Sequence, residues 1–236
     1  LLVSVAACGV CGTDIKKIRY GLQVPPRVFG HETAGTIAAV GPGVSCWQVG
    51  DRVALYHHVP CRECHFCARG AYAQCETYKR TGITAGFEPA GGGFAEYVRV
   101  MEWIVRLGGV VRIPEGVSFE EATFLEPANT CLKAVRRAGI REGDTVLVCG
   151  QGAIGLLLTQ LARREGARIV TTDPIPERRV LSLELGAAAA ADPLSEDVAA
   201  LARRHSGGRG ADAALLAATG AGVVAQAMNA VRPGGK

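Results

Sequence analysis

Between Pro60 and Glu76 the chain reads PCRECHFCARGAYAQCE, with cysteines at 61, 64, 67 and 75. A C-x2-C-x2-C-x7-C spacing sets three sulfurs on successive tight turns and brings a fourth back across a longer gap. Such a set can enclose one tetrahedral Zn²⁺ in a closed structural site. The competing reading is buried or disulfide-paired cysteines. This spacing argues against it, and so does the odd total of nine cysteines in a chain that otherwise reads as cytosolic. Cys61, Cys64, Cys67 and Cys75 are therefore expected to hold one structural zinc, and a lobe stapled in this way usually serves something larger.

What surrounds the loop divides into two styles of chain. At 236 residues there is room for one large or two ordinary domains. The first part reads as short strands cut by glycine and proline: LLVSVAA, TAGTIAAV, DRVALYHHV, FAEYVRV and GVVRI. From Ser118 a helical stretch, SFEEATFLEPANTCLKAVRRAG, leads into the strand TVLVC. Helices are then expected over 153–165, 177–186, 195–205 and 222–231, alternating with strands over 145–149, 168–172, 188–191 and 212–217. Strand, helix, strand at this spacing is the pattern of a doubly wound parallel sheet. The expectation is an α/β chain with a β-rich domain over 1–127 and a dinucleotide-binding domain over 128–236. Both ends look cut: Leu1 already lies in a strand-like run, and VRPGGK stops where another strand is due.

Directly after TVLVC comes Gly150-Gln151-Gly152-Ala153-Ile154-Gly155, a G-x-G-x-x-G opening a helix. The motif alone is weak, but this context is the one it requires, and Asp173 follows at the end of the next strand. The glycines admit a pyrophosphate to the backbone, and the helix N-terminus stabilises its charge. Asp173 can accept hydrogen bonds from the adenosine ribose hydroxyls and repels a 2′-phosphate, so NAD is favoured over NADP. Arg178 and Arg179 keep the second cofactor open.

A further set of donors lies apart from the four-cysteine loop: Cys11 in CGTD, His31 and Glu32 in GHE, and Glu126 in LEPANTC. One thiol, one imidazole and one or two carboxylates make a mixed N/O/S set suited to a catalytic Zn²⁺ with an open position. Asp14 is the type of residue that orients a ligating imidazole from behind. Each residue taken singly is more often packing than ligand, and sequence alone does not show that they converge.

GVCGTD, GHE, the four-cysteine loop, GGGFAEY, EPANTC and GQGAIG together resemble the zinc-dependent medium-chain dehydrogenases, in order and spacing, over essentially the whole chain. The likeness is nearest to the branch of sorbitol, threonine and sugar-alcohol dehydrogenases. It implies a GroES-like catalytic domain and a Rossmann domain, two zinc ions per chain, and hydride transfer from a secondary alcohol to NAD. By the same resemblance Cys11, His31 and Glu126 are catalytic zinc ligands, with Glu32 a direct or exchanging one. Thr13 matches the hydroxyl that takes the substrate proton, Thr130 and Ile154 positions flanking the nicotinamide, and His58 a pocket histidine of some threonine dehydrogenases. His58 reads equally well as an exposed loop residue. Lys16 stands where alcohol dehydrogenases often carry a relay histidine, and with an ordinary pKa of about 10.4 it is a poor neutral-pH shuttle. The resemblance also implies a homo-oligomer, dimer or tetramer.

Other function classes find little support. The formal charge of +4 is spread over short pairs such as Arg136-Arg137 and Arg203-Arg204, without the concentrated stripe that nucleic acid demands. A zinc-finger role for the four-cysteine loop would have only Arg62, Arg69, Lys79 and Arg80 to work with. No apolar run reaches the roughly 18 residues of a membrane span. A cytoplasmic enzyme acting on a small alcohol is the expectation. The alternative is a non-catalytic, zinc-stapled, NAD-binding fragment or relic of the same family.

Overall fold

The computed structural model describes residues 1–21, 28–77, 91–220 and 222–236. The chain divides into two compact units, Leu1–Glu126 and Pro127–Lys236.

The first unit is built on an antiparallel sheet of five strands in the order β4-β1-β2-β3-β5. These are β1 (Leu2–Gly9), β2 (Glu32–Ala39), β3 (Arg52–Leu55), β4 (Tyr97–Arg99) and β5 (Val110–Arg112). The alternation of side chains across the pleat sends Val3, Ile37, Val53 and Leu55 into one core, with Val98 and Ile104. Ala34 and Ala54 face the other way, against Ile113 and Ala122. β3 is shorter than the run DRVALYHHV suggests. Its pairing with β2 ends at Leu55, and the buried His57 and Val59 follow as the chain leaves the sheet for the cysteine loop.

Two short helices were not expected from the strand-rich pattern: α1 (Gly12–Arg19) and α2 (Glu102–Arg106). α1 follows a capping box in which Asp14 Oδ2 accepts from the Cys11 N–H at 3.2 Å and Cys11 Sγ accepts from the Thr13 N–H at 3.4 Å. The helical stretch after Ser118 forms as two pieces, α3 (Phe119–Thr123) and α4 (Leu125–Ala138). Pro127 is the reason. Its ring and missing N–H are tolerated in a first turn but not in a helix interior, so a new helix starts two residues before it.

The second unit is a parallel sheet in the order β8-β7-β6-β9. Its strands are β6 (Thr145–Cys149), β7 (Arg168–Thr172), β8 (Ala189–Ala191) and β9 (Ala213–Leu216). They are separated by α5 (Ala153–Arg164), α6 (Pro176–Glu184) and α7 (Val198–His205), and α8 (Val223–Ala230) follows β9. Every residue of β6 is buried. Val146 and Val148 pack to one side with Leu158 and Ile169, and Leu147 and Cys149 to the other with Val170 and Leu201. A strand covered on both faces must be apolar throughout, and TVLVC is nearly so. The order reverses at β6, with β7 on one side and β9 on the other. The crevice beyond the carboxyl ends of such a pair is where open α/β sheets bind ligands.

One ion pair ties the rim of the first sheet. Arg112 on β5 donates to Asp51 through Nη1 (2.5 Å) and Nη2 (3.0 Å), and Asp51 also accepts from the Gln48 N–H. The Arg112 hydrogen bonds, then that backbone N–H, hold the Asp51 carboxyl below its usual pKa. A pKa depressed by folding means stability that is complete above the unfolded carboxylate pKa and is lost as pH falls through the folded one. Asp51→Asn should therefore melt at a lower temperature than wild type at neutral pH, with the gap closing on acidification. A gap that stays constant down to acid pH would remove this pair from the account.

Candidate functional site

Among the described residues, two groups of metal-type donors stand in the first unit. Cys61, Cys64, Cys67 and Cys75 bring four sulfurs within 4.8 Å of one another. The geometry begins at Arg62, a non-glycine residue held at φ 68°. That turn lets the Glu63 and Cys64 N–H groups point back at Cys61 Sγ and lower its pKa to about 6. Arg62 itself is tied down by donating to the Leu107 carbonyl at 3.1 Å. Cys75 Sγ accepts from the Cys61 N–H at 3.3 Å. Cys67, by contrast, is pushed up to about 12, first by burial and then by the neighbouring thiols. Four sulfurs this close cannot all ionise unaided, and a dication is what makes four thiolates compatible. All nine cysteines are free of disulfides. Lys79 and Arg80, the further cations near this loop in sequence, lie outside the described residues.

The second group is Cys11, His31 and Glu32, whose donor atoms also lie within 4.8 Å of one another. Cys11 caps α1, Glu32 opens β2 and His31 immediately precedes it, so the cluster sits where a helix start meets the head of a sheet strand. Gly9 makes room for it, because a Cβ there would overlap the Glu32 carboxylate. Behind the imidazole, Asp14 Oδ1 faces His31 Nδ1 at 3.2 Å, and both residues are buried. Neither atom has a hydrogen-bond partner among the described residues, so the contact is one of ion-pair distance, with Nδ1 facing Asp14 and Nε2 the ring nitrogen left for a metal. Glu126 lies close enough to act on His31 and Glu32 through its charge, but is not one of the donors within 4.8 Å.

The electrostatics are those of acidic groups gathered around one imidazole. Cys11 has its pKa lowered mainly by the hydrogen bond to His31, with burial opposing and the Thr13 N–H and hydroxyl assisting. Burial works against a charged His31, yet the Cys11 hydrogen bond and the charges of Asp14, Cys11 and Glu126 leave its pKa raised. Burial also raises Glu32, and the Glu126 and Asp14 charges add to that despite the pull of His31 and Cys11. One thiol, one imidazole and one carboxylate, with a carboxylate behind the ring, suit Zn²⁺ with a position left open.

A residue with no motif of its own also appears here. His57 is buried and lies between two rings, 5.1 Å from His31 and 3.6 Å from the exposed His58, centroid to centroid. Burial first, then the charges of His58, His31 and Lys17, push His57 well below the ordinary histidine pKa. Only the doubled HH in the sequence hinted at it. Thr13 and Lys16 are both exposed on α1.

In the second unit the glycine turn is formed as its spacing demands. Gly150 has φ +89°, and a Cβ there would collide with Ala218 across the sheet reversal. Gly155 lies directly under the Gly150 carbonyl, so any side chain would drive α5 away from β6. At Gly152 the surroundings are open, with only Arg178 Nη1 at 4.0 Å from a notional Cβ. No side chain caps α5, so the N–H groups of its first turn, Ala153 to Gly155, are the ones available to an anion. Asp173 is buried, and its carboxylate accepts from the Gln151 N–H (2.7 Å) and the Ile175 N–H (2.9 Å). Arg178 stands 3.7 Å from that carboxylate with its side chain half exposed. Arg179 is spent elsewhere, on the Asp173 carbonyl and Asp192. Thr130 and Ile154 are both exposed, on turns joined by the Cys131 Sγ contact with the Ile154 carbonyl (3.7 Å).

Comparison with known proteins points to one family. Residues 1–114 match the family described as alcohol dehydrogenase GroES-like domain, and residues 153–236 that described as zinc-binding dehydrogenase. L-threonine 3-dehydrogenase of Pyrococcus abyssi is 33% identical over all of this chain and 66% of its own length. Sorbitol dehydrogenase of Bacillus subtilis is 32% identical with the same coverage. Among solved structures, a zinc-binding dehydrogenase-like protein from Sinorhizobium meliloti 1021 bound to NADP superposes with a TM-score of 0.86 at 34% identity, covering all of this chain and 67% of that one. The chain thus spans about two thirds of the length of these relatives.

The two clusters should differ in what they support. Zinc analysis is expected to return two ions per chain. Cys61→Ser should lose one and lower the melting temperature. Cys11→Ser should also lose one, with a much smaller change in melting. A single zinc in wild type, unchanged in Cys11→Ser, would dismiss the second cluster.

Proposed function

The chain belongs to the zinc-dependent medium-chain dehydrogenase family, and on that premise we propose that it oxidises a secondary alcohol with NAD as hydride acceptor. The observation that carries this is the convergence of Cys11, His31 and Glu32 beside the Thr13 hydroxyl, on a chain that also carries the glycine turn. Bound in those places, zinc supplies Lewis-acid polarisation of the alcohol oxygen and the nicotinamide supplies the hydride acceptor.

The residues divide the remaining work. Cys11 and His31 hold the metal, with Glu32 and Glu126 as its carboxylates. Glu32 lies inside the donor cluster and Glu126 within charge range, an arrangement that supports exchange between the two. Asp14 fixes the His31 ring through Nδ1. Thr13, exposed at the start of α1, takes the hydroxyl proton and passes it outward; the exposed Lys16 is left without a part in that relay. His58, at the open end of the histidine row, serves the substrate pocket. The four-cysteine loop carries the second zinc and has no chemical role.

Gly150, Gly152, Ala153 and Gly155 receive the pyrophosphate at the head of α5, and Thr130 and Ile154 flank the nicotinamide. Asp173 retains lone pairs for the adenosine ribose, since each carboxylate oxygen accepts one backbone N–H and has room for another donor. Its charge disfavours a 2′-phosphate, while Arg178 at 3.7 Å offsets part of that charge. NAD is therefore preferred by a modest margin rather than exclusively. The substrate class is a polyol, sugar or amino alcohol, able to chelate the metal through a neighbouring heteroatom. A dimer or tetramer in the cytoplasm fits this reading.

The test is a dehydrogenase screen of the zinc-loaded protein against polyols, sugars, threonine and simple alcohols with NAD and NADP, followed by Thr13→Val and Thr13→Ser on the best substrate. Thr13→Val should lower kcat by on the order of 10²-fold, the lower range for loss of a positioned proton-transfer group, with zinc content intact and Ser restoring most of the rate. Full turnover in Thr13→Val, or no turnover of any alcohol by zinc-loaded wild type, would refute the assignment.

A further inference from the structure

The second position of a G-x-G-x-x-G motif is nominally free, and here it is Gln151. A glutamine side chain in an apolar interior loses its hydration and is stable there only if its amide is satisfied. Gln151 is fully buried, and so is Thr159, two turns along α5. Its Nε2 donates to the Gly150 carbonyl at 3.0 Å and lies 3.3 Å from the Val148 carbonyl, while its Oε1 accepts from the Thr159 hydroxyl at 3.0 Å. Only this orientation of the amide sets donor against acceptor at all three places. The Gln151 N–H meanwhile goes to Asp173 Oδ2 at 2.7 Å.

One residue therefore joins four parts: the end of β6, the glycine turn, the second turn of α5 and the carboxylate that follows β7. We infer that Gln151 is a positioning residue, whose side-chain amide locks the glycine turn so that the N–H groups heading α5 keep a fixed aim at a pyrophosphate. The inference rests on the dinucleotide reading above. Gly150 is in the left-handed region and Gly152 has no side chain to hold it, so the turn's own backbone is soft. Anchoring its carbonyl side from beneath leaves the N–H side free for ligand. Because the amide is sealed from solvent, its effect on the nucleotide runs entirely through the turn.

The signature is a loss confined to ligands that carry the pyrophosphate. Gln151→Met keeps the length of the side chain and removes its hydrogen bonds. Thr159→Val removes the hydroxyl that holds the amide. Wild type, both single variants and the double variant are titrated with NAD and ADP by calorimetry and with adenosine by ligand-observed NMR, with thermal melts alongside. Gln151→Met should weaken NAD and ADP together by on the order of tenfold, the scale of one lost buried hydrogen bond, with adenosine within about twofold of wild type. Thr159→Val should show a smaller loss of the same pattern, and none beyond Gln151→Met in the double variant. Unchanged NAD affinity in Gln151→Met, a matching loss for adenosine, or additive losses in the double variant would overturn the inference. If Gln151→Met does not fold, Thr159→Val carries the test on the same contrast of ADP against adenosine. Wild type binding none of the three ligands would instead sink the dinucleotide site, and this role with it.

Discussion

Crowding of metal-type donors is the constraint on which the first unit depends. A thiol, an imidazole and a carboxylate within 4.8 Å at one place, and four sulfurs within 4.8 Å at another, are arrangements that a protein interior does not favour by itself. Burial deprives such groups of water. In the loop, backbone N–H groups draw Cys61 down to about 6, while burial first and then the neighbouring thiols push Cys67 up to about 12. In the mixed set the Cys11–His31 hydrogen bond offsets the burial of the imidazole, and the Glu126 and Asp14 charges add to the burial that raises Glu32. A dication would satisfy both sets by coordination. On the proposed reading the four-sulfur set would close around its ion and be structural, and the mixed set would leave a position for substrate.

The second unit solves a different problem, the approach of a charged ligand to backbone. There the solution is the removal of side chains, with glycine where Ala218 or the Gly150 carbonyl would otherwise be struck, and an uncapped helix start beyond. Asp173 and Gln151 brace that opening from below, the first through backbone N–H groups and the second through carbonyls. The arrangement separates what holds the turn from what the turn holds.

Much of this was legible in the sequence because the signals were covalent in spacing. Cysteine intervals, the placing of the glycine motif after an apolar strand, and the alternation from Ser118 onward each depend on near neighbours in the chain. What the sequence left unread depends on distant ones. α1 was invisible because its cap is a cysteine, an unusual choice, paired with an aspartate that also serves His31. The break at Phe124 is written in Pro127, yet the stretch around it is apolar-periodic enough to read as one helix. His57 gave no signal beyond adjacency to His58, and only the fold brings its ring within 5.1 Å of the His31 ring, centroid to centroid. Gln151 sat inside a motif that assigns no role to its position, and its partners lie on three other elements.

The account stands or falls on two chemically different zinc sites in one chain, and zinc K-edge absorption on the loaded protein addresses that directly. Four sulfurs at one ion and one at the other average to about two and a half sulfurs per zinc near 2.3 Å, with the balance nitrogen and oxygen near 2.0–2.1 Å. That mixed shell is the predicted result. A shell of four sulfurs per zinc, with no nitrogen or oxygen scatterer, would mean that only the cysteine loop is loaded and would contradict the reading of Cys11, His31 and Glu32.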